Sequence, residues 1–267
     1  MRSEIKIFLL LLIISFAIVS DSQAKNKHPE DSTWNNWNFR ISPYFWFIGF
    51  EGTIYRPPYP THYPEPKPSY DIDVSFKEIK NSIKFAAMLA GQYRNKKMVA
   101  QFSFSSLILE GEAITPLELV LQDISYRFDF YSGDFTVGYR LVRNRKIELD
   151  IVGGLKFIYF RVGGRTNIAG RWEFEIDRKI AWLDPVLGAN FRYRPHKRIE
   201  FATYADIGSR LFGTDLSYQF IGNVNVFISR TFFITMGYRI WGVDHPTEEA
   251  IYTGKVKGWI VRLGFQF

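Results

Sequence analysis

The chain has 267 residues, a formal net charge of +7, 18% aromatic residues and a mean hydropathy of -0.12. Cysteine is absent, which excludes disulfides, thiol chemistry and a lipid-modified N-terminal cysteine. No dense basic run exists, so nucleic-acid binding is not expected; the surplus Lys and Arg read as solvated turn residues, with attraction to anionic headgroups as the alternative.

In chain order, Arg2 and Lys6 form a positive start, Ile7 to Val19 is apolar apart from Ser15, and Ser22-Gln23-Ala24 offers small residues for cleavage. That pattern predicts a signal peptide over 1–24. The apolar run falls short of the roughly 20 residues that a helix needs to cross a bilayer. Residues 25–36 then form a short tail, and no further long apolar run follows, which excludes a helical membrane protein.

From 37 onward apolar and polar residues alternate with a period of two, the signature of strands exposed to different media on their two faces. Ten strands are predicted: 37–55, 83–94, 98–111, 119–142, 146–163, 181–193, 198–211, 215–228, 231–243 and 250–267. The last is the clearest, with Trp259, Val261, Leu263, Phe265 and Phe267 on one face. Between the first two strands lies an unusual loop, 56–82, where Arg56 to Tyr70 carries Pro57, Pro58, Pro60, Pro64, Pro66 and Pro68. Such density favours extended chain that cannot join a strand ladder. Ser75-Phe76-Lys77-Glu78 after it reads as a capping box opening a short helix. In the strand 119–142 the apolar phase slips between Phe130 and Phe135, which predicts a β-bulge hinged at Gly133.

Connections alternate between tight and extended. Tight turns are expected at Asn95 to Lys97, Arg143 to Arg145, Arg194 to Lys197 and Ser229-Arg230; longer loops at 56–82, Glu112 to Pro116, Gly164 to Lys179, Phe212 to Asp215 and Asp244 to Ala250. A sandwich would have shorter strands and an apolar inner face. The fold expected is all-β: a transmembrane antiparallel up-and-down β-barrel over 37–267, with an even strand count and both termini periplasmic. Such a barrel reconciles many aromatics with modest hydropathy, because lipid-facing residues alternate with polar lumen residues.

Parity places acids and bases together inside. The acids are Asp123, Asp129, Asp134, Glu148, Asp150, Asp184, Glu200 and Asp206; the bases are Arg40, Arg127, Arg140, Lys156, Arg192, Arg210, Arg239 and Arg262. An ion-selective pore would be lined mainly by one sign. Balance predicts instead a filled lumen of paired charges, and a barrel of this size has little room for more than side chains.

Enzyme signals are thin. His28 and His196 read as solvated, and His62 lies in the Pro-rich loop. Asp244-His245 with Glu248 and Glu249 sits in the last outer loop. That pair resembles the Asp/His of omptin-type outer-membrane proteases, which are ten-stranded and use those residues to activate water. The spacing differs, and no partner Asp-x-Asp stands in the opposite loops. No nucleophile elbow, zinc-binding His-Glu-x-x-His or phosphate loop is present, and neither metal nor cofactor is expected.

Several short motifs resemble a family of uncharacterised outer-membrane β-barrel proteins of Gram-negative bacteria. They are Pro43-Tyr44-Phe45-Trp46 with Gly49 and Gly52, Asp73-Val74-Ser75-Phe76, Gly138-Tyr139-Arg140, Asp184-Pro185 with Gly188, Asp206-Ile207-Gly208, and Gly237-Tyr238-Arg239. The resemblance implies a barrel in the cell outer membrane and no activity; the Pro-rich loop departs from it. The terminal aromatic on alternating apolar residues also resembles the signal read by the outer-membrane assembly machinery. Expected partners are therefore that machinery, outer-membrane lipid and lipopolysaccharide. The leading functional expectation is a non-enzymatic barrel for envelope structure or narrow small-solute passage. The alternatives are an adhesion or ligand-binding barrel acting through the Pro-rich loop, and a hydrolase using Asp244 and His245.

Overall fold

The computed structural model describes residues 37–55, 69–113, 121–144, 146–168, 172–208, 216–246 and 251–267. The segments expected as signal peptide and tail, the proline cluster 57–68, and Arg210 lie outside the described residues.

The strands are β1 (Phe39–Tyr55), β2 (Ser69–Val74), β3 (Ile83–Arg94), β4 (Met98–Ala113), β5 (Leu121–Arg143), β6 (Ile147–Ile168), β7 (Trp172–His196), β8 (Ile199–Gly208), β9 (Leu216–Phe227), β10 (Phe232–Pro246) and β11 (Ile251–Gln266). A four-residue helix α1 (Phe76–Ile79) and a 3-10 turn (Lys80–Ser82) connect β2 to β3. Ten strands pair antiparallel in chain order, and β1 closes the ring on β11. The eleventh, β2, hangs on the upper part of β1, Phe50↔Val74 to Tyr55↔Ser69. The loop expected at 56–82 therefore returns as a strand before the predicted helix.

Both chain ends of the barrel meet at one rim, where Phe39 and Phe267 exchange backbone hydrogen bonds. The same rim carries the tight turns, so it is the turn end. Asn95 Oδ1 accepts from the amides of Lys97 and Met98; Asn144 Oδ1 accepts from Lys146 and Ile147; Ser229 Oγ accepts from Thr231 and Phe232. A short polar side chain closing its own turn is what selects Asn and Ser there. At the opposite, loop end the strands run on. The segment expected as a loop, Gly164 to Lys179, is a paired ribbon of β6 and β7 up to Ile168↔Trp172. Strand-forming residue types at alternate positions (Thr166, Ile168, Phe174, Ile176) carry the ladder beyond the predicted boundary.

The predicted bulge at Gly133 is corrected. β5 pairs with β4 without a register shift from Met98↔Tyr139 to Ala113↔Ile124, and Gly133 sits opposite Phe104. On its other side the β5–β6 register is also continuous across Gly133; its shifts lie between Gln122 and Ser125 and between Arg140 and Val142. The even positions of β5 therefore face inward all along: Phe128, Phe130, Ser132, Asp134, Thr136 and Arg140. Phe130 is not lipid-facing but wholly buried.

The outer surface is an apolar belt. On β7, for example, Leu183, Leu187, Phe191 and Tyr193 are exposed while Trp182, Asp184, Val186 and Arg192 between them are buried. From 183 to 193 is roughly ten residues of tilted strand, enough for the roughly 25 Å apolar band of a membrane-spanning barrel. Tyr131–Tyr159 and Tyr238–Trp259 ring pairs mark its loop-end edge. Immediately above stands a half-exposed charged collar, with Arg127 paired to Glu110 and to the buried Asp129, Arg161 to Asp177, and Lys257 to Glu51.

Candidate functional site: a lumen filled in two tiers

Inward side chains divide the lumen into a polar tier towards the turn end and an apolar tier towards the loop end. At the bottom, Glu200 accepts from Arg40 Nη1 at 2.7 Å and Nη2 at 3.3 Å, from Asn225 Nδ2 at 2.9 Å, and from Arg194. Arg40 Nε donates onward to Gln266 at 3.1 Å. Glu148 accepts from Arg94 at 2.6 Å and Arg192 at 2.7 Å, and Asp150 from Arg140 at 3.0 Å and Arg192 at 3.3 Å. Trp37 lies between two guanidiniums, with Arg94 Cζ 3.6 Å and Arg40 Cζ 3.9 Å from its ring centroid. Burying this many charges is tolerable only because each carboxylate is shared among several donors.

Higher up, Lys156 donates to Asp206 at 2.6 Å, Gln219 links Asp206 to Arg239, and Arg239 lies 3.8 Å from Asp134. Tyr44 bonds Ser103 and Ser105, and Arg262 stacks over the Tyr44 ring. A cavity of about 140 Å³ lies among Asp134, Asn190, Tyr204, Asn223 and Arg262.

The loop-end tier is built from rings. Phe130 stacks on Phe160 at 5.1 Å, Phe160 tilts against Trp182 at 5.6 Å, and Trp182 stacks on Trp241 at 6.4 Å. Trp241 also stacks on Phe130 at 6.3 Å. Strands β5 and β10 stand on opposite sides of the ring, so this last contact bridges the lumen. Phe50 adds edge contacts to Phe128 and Phe130, while Ile48, Leu107, Leu109, Ile158 and Val256 fill around them. Trp46 joins the tiers, its ring 4.4 Å from Arg239 Cζ.

Of the charges expected inside, Arg40, Asp134, Arg140, Glu148, Asp150, Lys156, Asp184, Arg192, Glu200, Asp206 and Arg239 are buried, and Arg262 lines the cavity. Arg127 is corrected to the outer collar, and Asp129 faces the same side but is buried beneath it, because β5 keeps its phase and odd residues face out. The Asp123 side chain lies outside the described residues. Arg94, Arg194 and Trp37 were not anticipated; they sit beside turns and at the chain entry, where sequence reads as solvated. Trp259, Val261, Leu263, Phe265 and Phe267 all lie exposed on the outer face of β11. Asp244 accepts from Thr253 Oγ1 at 3.0 Å. The His245 side chain lies outside the described residues. His196 Nδ1 accepts from the Arg198 amide within its turn. No group of three metal-ligating side chains occurs among the described residues.

A closed ten-stranded antiparallel barrel with an apolar belt and a filled interior has the fold of the outer-membrane β-barrels. Among solved structures, it matches the outer membrane protease OmpT from Escherichia coli with a TM-score of 0.53 at 10% identity, over 92% of this chain and 100% of that one. The attachment invasion locus protein Ail of Yersinia pestis matches more loosely, with a TM-score of 0.32 at 12% identity over 86% of this chain and 99% of that one. So does OprG from Pseudomonas aeruginosa, at 0.34 and 9% over 88% and 99%. No protein-family model matches the chain, and no curated protein matches it in sequence.

Proposed function

We propose that the chain is exported by its signal peptide and acts as a non-enzymatic barrel of the cell outer membrane, closed along its axis and contributing to envelope structure. The turn end is periplasmic and the loop end external, in keeping with short inner turns and long outer ribbons. The belt sits in outer-membrane lipid, and the collar of Arg127, Arg161, Lys179 and Lys257 among acids meets lipopolysaccharide headgroups. The observation that carries the reading is the ring contact across the lumen from Phe130 to Trp241, above a network in which buried carboxylates and guanidiniums pair. An axial route for small solutes would have to displace both tiers. Single-channel recording of the purified protein in planar lipid bilayers tests this. The expected trace is silent, and reproducible step conductances would overturn the closed axis.

A further inference from the structure

The barrel wall is not closed by strand pairing all the way round. Nine of the ten junctions carry long ladders, whereas β1 and β3 pair only from Phe39↔Tyr93 to Pro43↔Leu89. Above Pro43 the two strands part company. β1 next meets a strand on that side at Phe50, and that strand is β2. Over Tyr44 to Gly49 the chain crosses the loop-end half of the belt; Phe47 is in register with the girdle residue Trp259. There the Trp46 amide donates to the Met88 thioether sulfur at 3.2 Å, a side-chain contact where a ladder would supply a carbonyl.

What fills the gap is the segment 75–82. Its helix α1 is one turn long, too short to hold itself together. A capping box steadies it: Glu78 accepts from the Ser75 amide and hydroxyl, both at 2.6 Å. Two apolar side chains seat it. Phe76 packs edge-on to Phe45 and Phe47 on the outer face, with centroids 5.9 and 5.0 Å away. Ile79 is buried in the cluster that contains the lumen rings. Ser82 hydroxyl meets Tyr126 hydroxyl at 2.7 Å. The segment is thus a wedge with one residue towards lipid and one towards the aromatic tier. The segment sits at the loop-end edge of the belt, where its Lys77, Glu78 and Lys80 are exposed, and this cover is removable without breaking the ring of ladders beneath it.

We propose that this wedge is a lateral gate, through which a small uncharged apolar molecule passes between the loop-end mouth and the outer leaflet. The inner route is lined by rings, Phe50 and Phe128 beside Phe160, and its exit by Phe45, Phe47 and Phe76, so the surface that would recognise the ligand is apolar and mainly aromatic. Val162 and Ile180 continue the inner apolar face above the rings. Among the described residues the buried side chains of that tier are uncharged, and the nearest cation on the same face of β7 is Arg178 at the mouth, in register with Val162. The inference rests on the reading of a closed axis, because a blocked lumen leaves the wall as the way out. Conductance reads the axis and apolar uptake reads the gate, so the two can fail separately.

The gate can be locked in place. A Cβ at Gly49 would lie 3.7 Å from Ser75 Cα, near enough for a disulfide once the Val74 carbonyl oxygen, 3.2 Å away, gives by a few tenths of an ångström, and the chain has no cysteine of its own. Cells of a Gram-negative host making the full chain are given N-phenylnaphthylamine, an apolar dye that fluoresces on entering the membrane. The wild-type barrel should raise the uptake rate above that of cells without it. The oxidised Gly49→Cys, Ser75→Cys pair should return uptake to that baseline, and a reductant should raise it to the wild-type rate or above, because the pair also lacks the Ser75 capping hydroxyl. Phe76→Ala, which loosens the outer seat without altering the ladders, should exceed the wild type. Folding of each variant is read by heat-modifiable gel migration, and the bridge by intact mass. Wild-type uptake equal to the baseline would overturn the gate, as would oxidised uptake equal to wild type. Should the cysteine pair not assemble, Phe76→Ala decides alone, and an unchanged rate overturns the proposal.

Discussion

Replacing Glu200 by Ala should be among the costliest single changes in the barrel. Its carboxylate is 2% exposed and takes hydrogen bonds from Arg40, Arg194 and Asn225. Removing it leaves two buried guanidiniums without their counterion. Breaking a buried pair from one side costs about 3–5 kcal/mol, since the surviving charge is left uncompensated. The lower bound applies if Gln266 and the Trp37 ring hold Arg40 in place. Glu200→Gln keeps one acceptor oxygen and should fall between Ala and wild type. Glu200→Ala with Arg40→Ala should cost less than the sum of the singles, with a coupling of about 0.5–3 kcal/mol. Asp177→Ala breaks an exposed collar pair and should stay within about 0.5 kcal/mol of wild type. The measurement is guanidinium unfolding of the protein refolded in lipid vesicles, followed by tryptophan emission; Trp37 stacks on the network and reports on it directly. A cost for Glu200→Ala below about 1 kcal/mol, or strictly additive singles, would show that the network is not the dry, mutually compensated cluster described above.

Two glycines should differ in their response to Ala. A Cβ at Gly258 would lie 1.9 Å from the Phe47 carbonyl oxygen, which is backbone and cannot step aside; Gly258→Ala should cost about 1–3 kcal/mol by the same unfolding assay and weaken the β1–β11 closure. A Cβ at Gly133 meets nothing nearer than 3.8 Å, so Gly133→Ala should be neutral, and a large loss there would restore the case for a hinge. The wedge should loosen in acid. The Ser75 hydroxyl, followed by its amide, holds the Glu78 carboxyl below its ordinary range. That support is complete above the unfolded value and is lost as pH falls through the depressed one. Protection of the 75–79 amides, taken relative to their intrinsic exchange rate at each pH, should therefore fall below the usual carboxylate range, and Glu78→Gln should lower it at neutral pH and flatten the response. Protection that ignores both pH and the substitution would remove the capping box from the account.

The strand count, the closing turns and the outward face of the last strands were legible because each rests on local chemistry: a two-residue period, an Asn or Ser folding back on its own turn, Gly where strands crowd. The wedge was half legible. Its capping box stands in the sequence, but the return of 69–74 to β1 depends on a long-range register that the prolines before it conceal. Arg94 and Arg194 look like turn residues because they border turns, yet both reach back under the barrel floor to Glu148 and Glu200.

The error at β5 is the instructive one, since it comes from equating apolar with lipid-facing. Treating Phe128 and Phe130 as outward forces a phase slip before Phe135, and the slip then demands a bulge. Holding the period fixed gives a different reading. The even face runs Phe128, Phe130, Ser132, Asp134, Thr136, Arg140, apolar above and polar below, while the odd face runs Arg127, Asp129, Tyr131, Phe135, Val137, Tyr139, charged above and apolar below. Each face changes character once, in opposite senses, near Tyr131. Other strands switch at the same height: Lys156 to Ile158 on β6 is in register with Asp184 to Trp182 on β7, and Ser132 on β5 pairs with Ile158. Arg239 gives way to Trp241 on β10. A bulge in one strand would explain none of these coincidences. A lumen that is itself divided into two tiers explains all of them, and it predicts the charged collar outside as the place where the membrane ends.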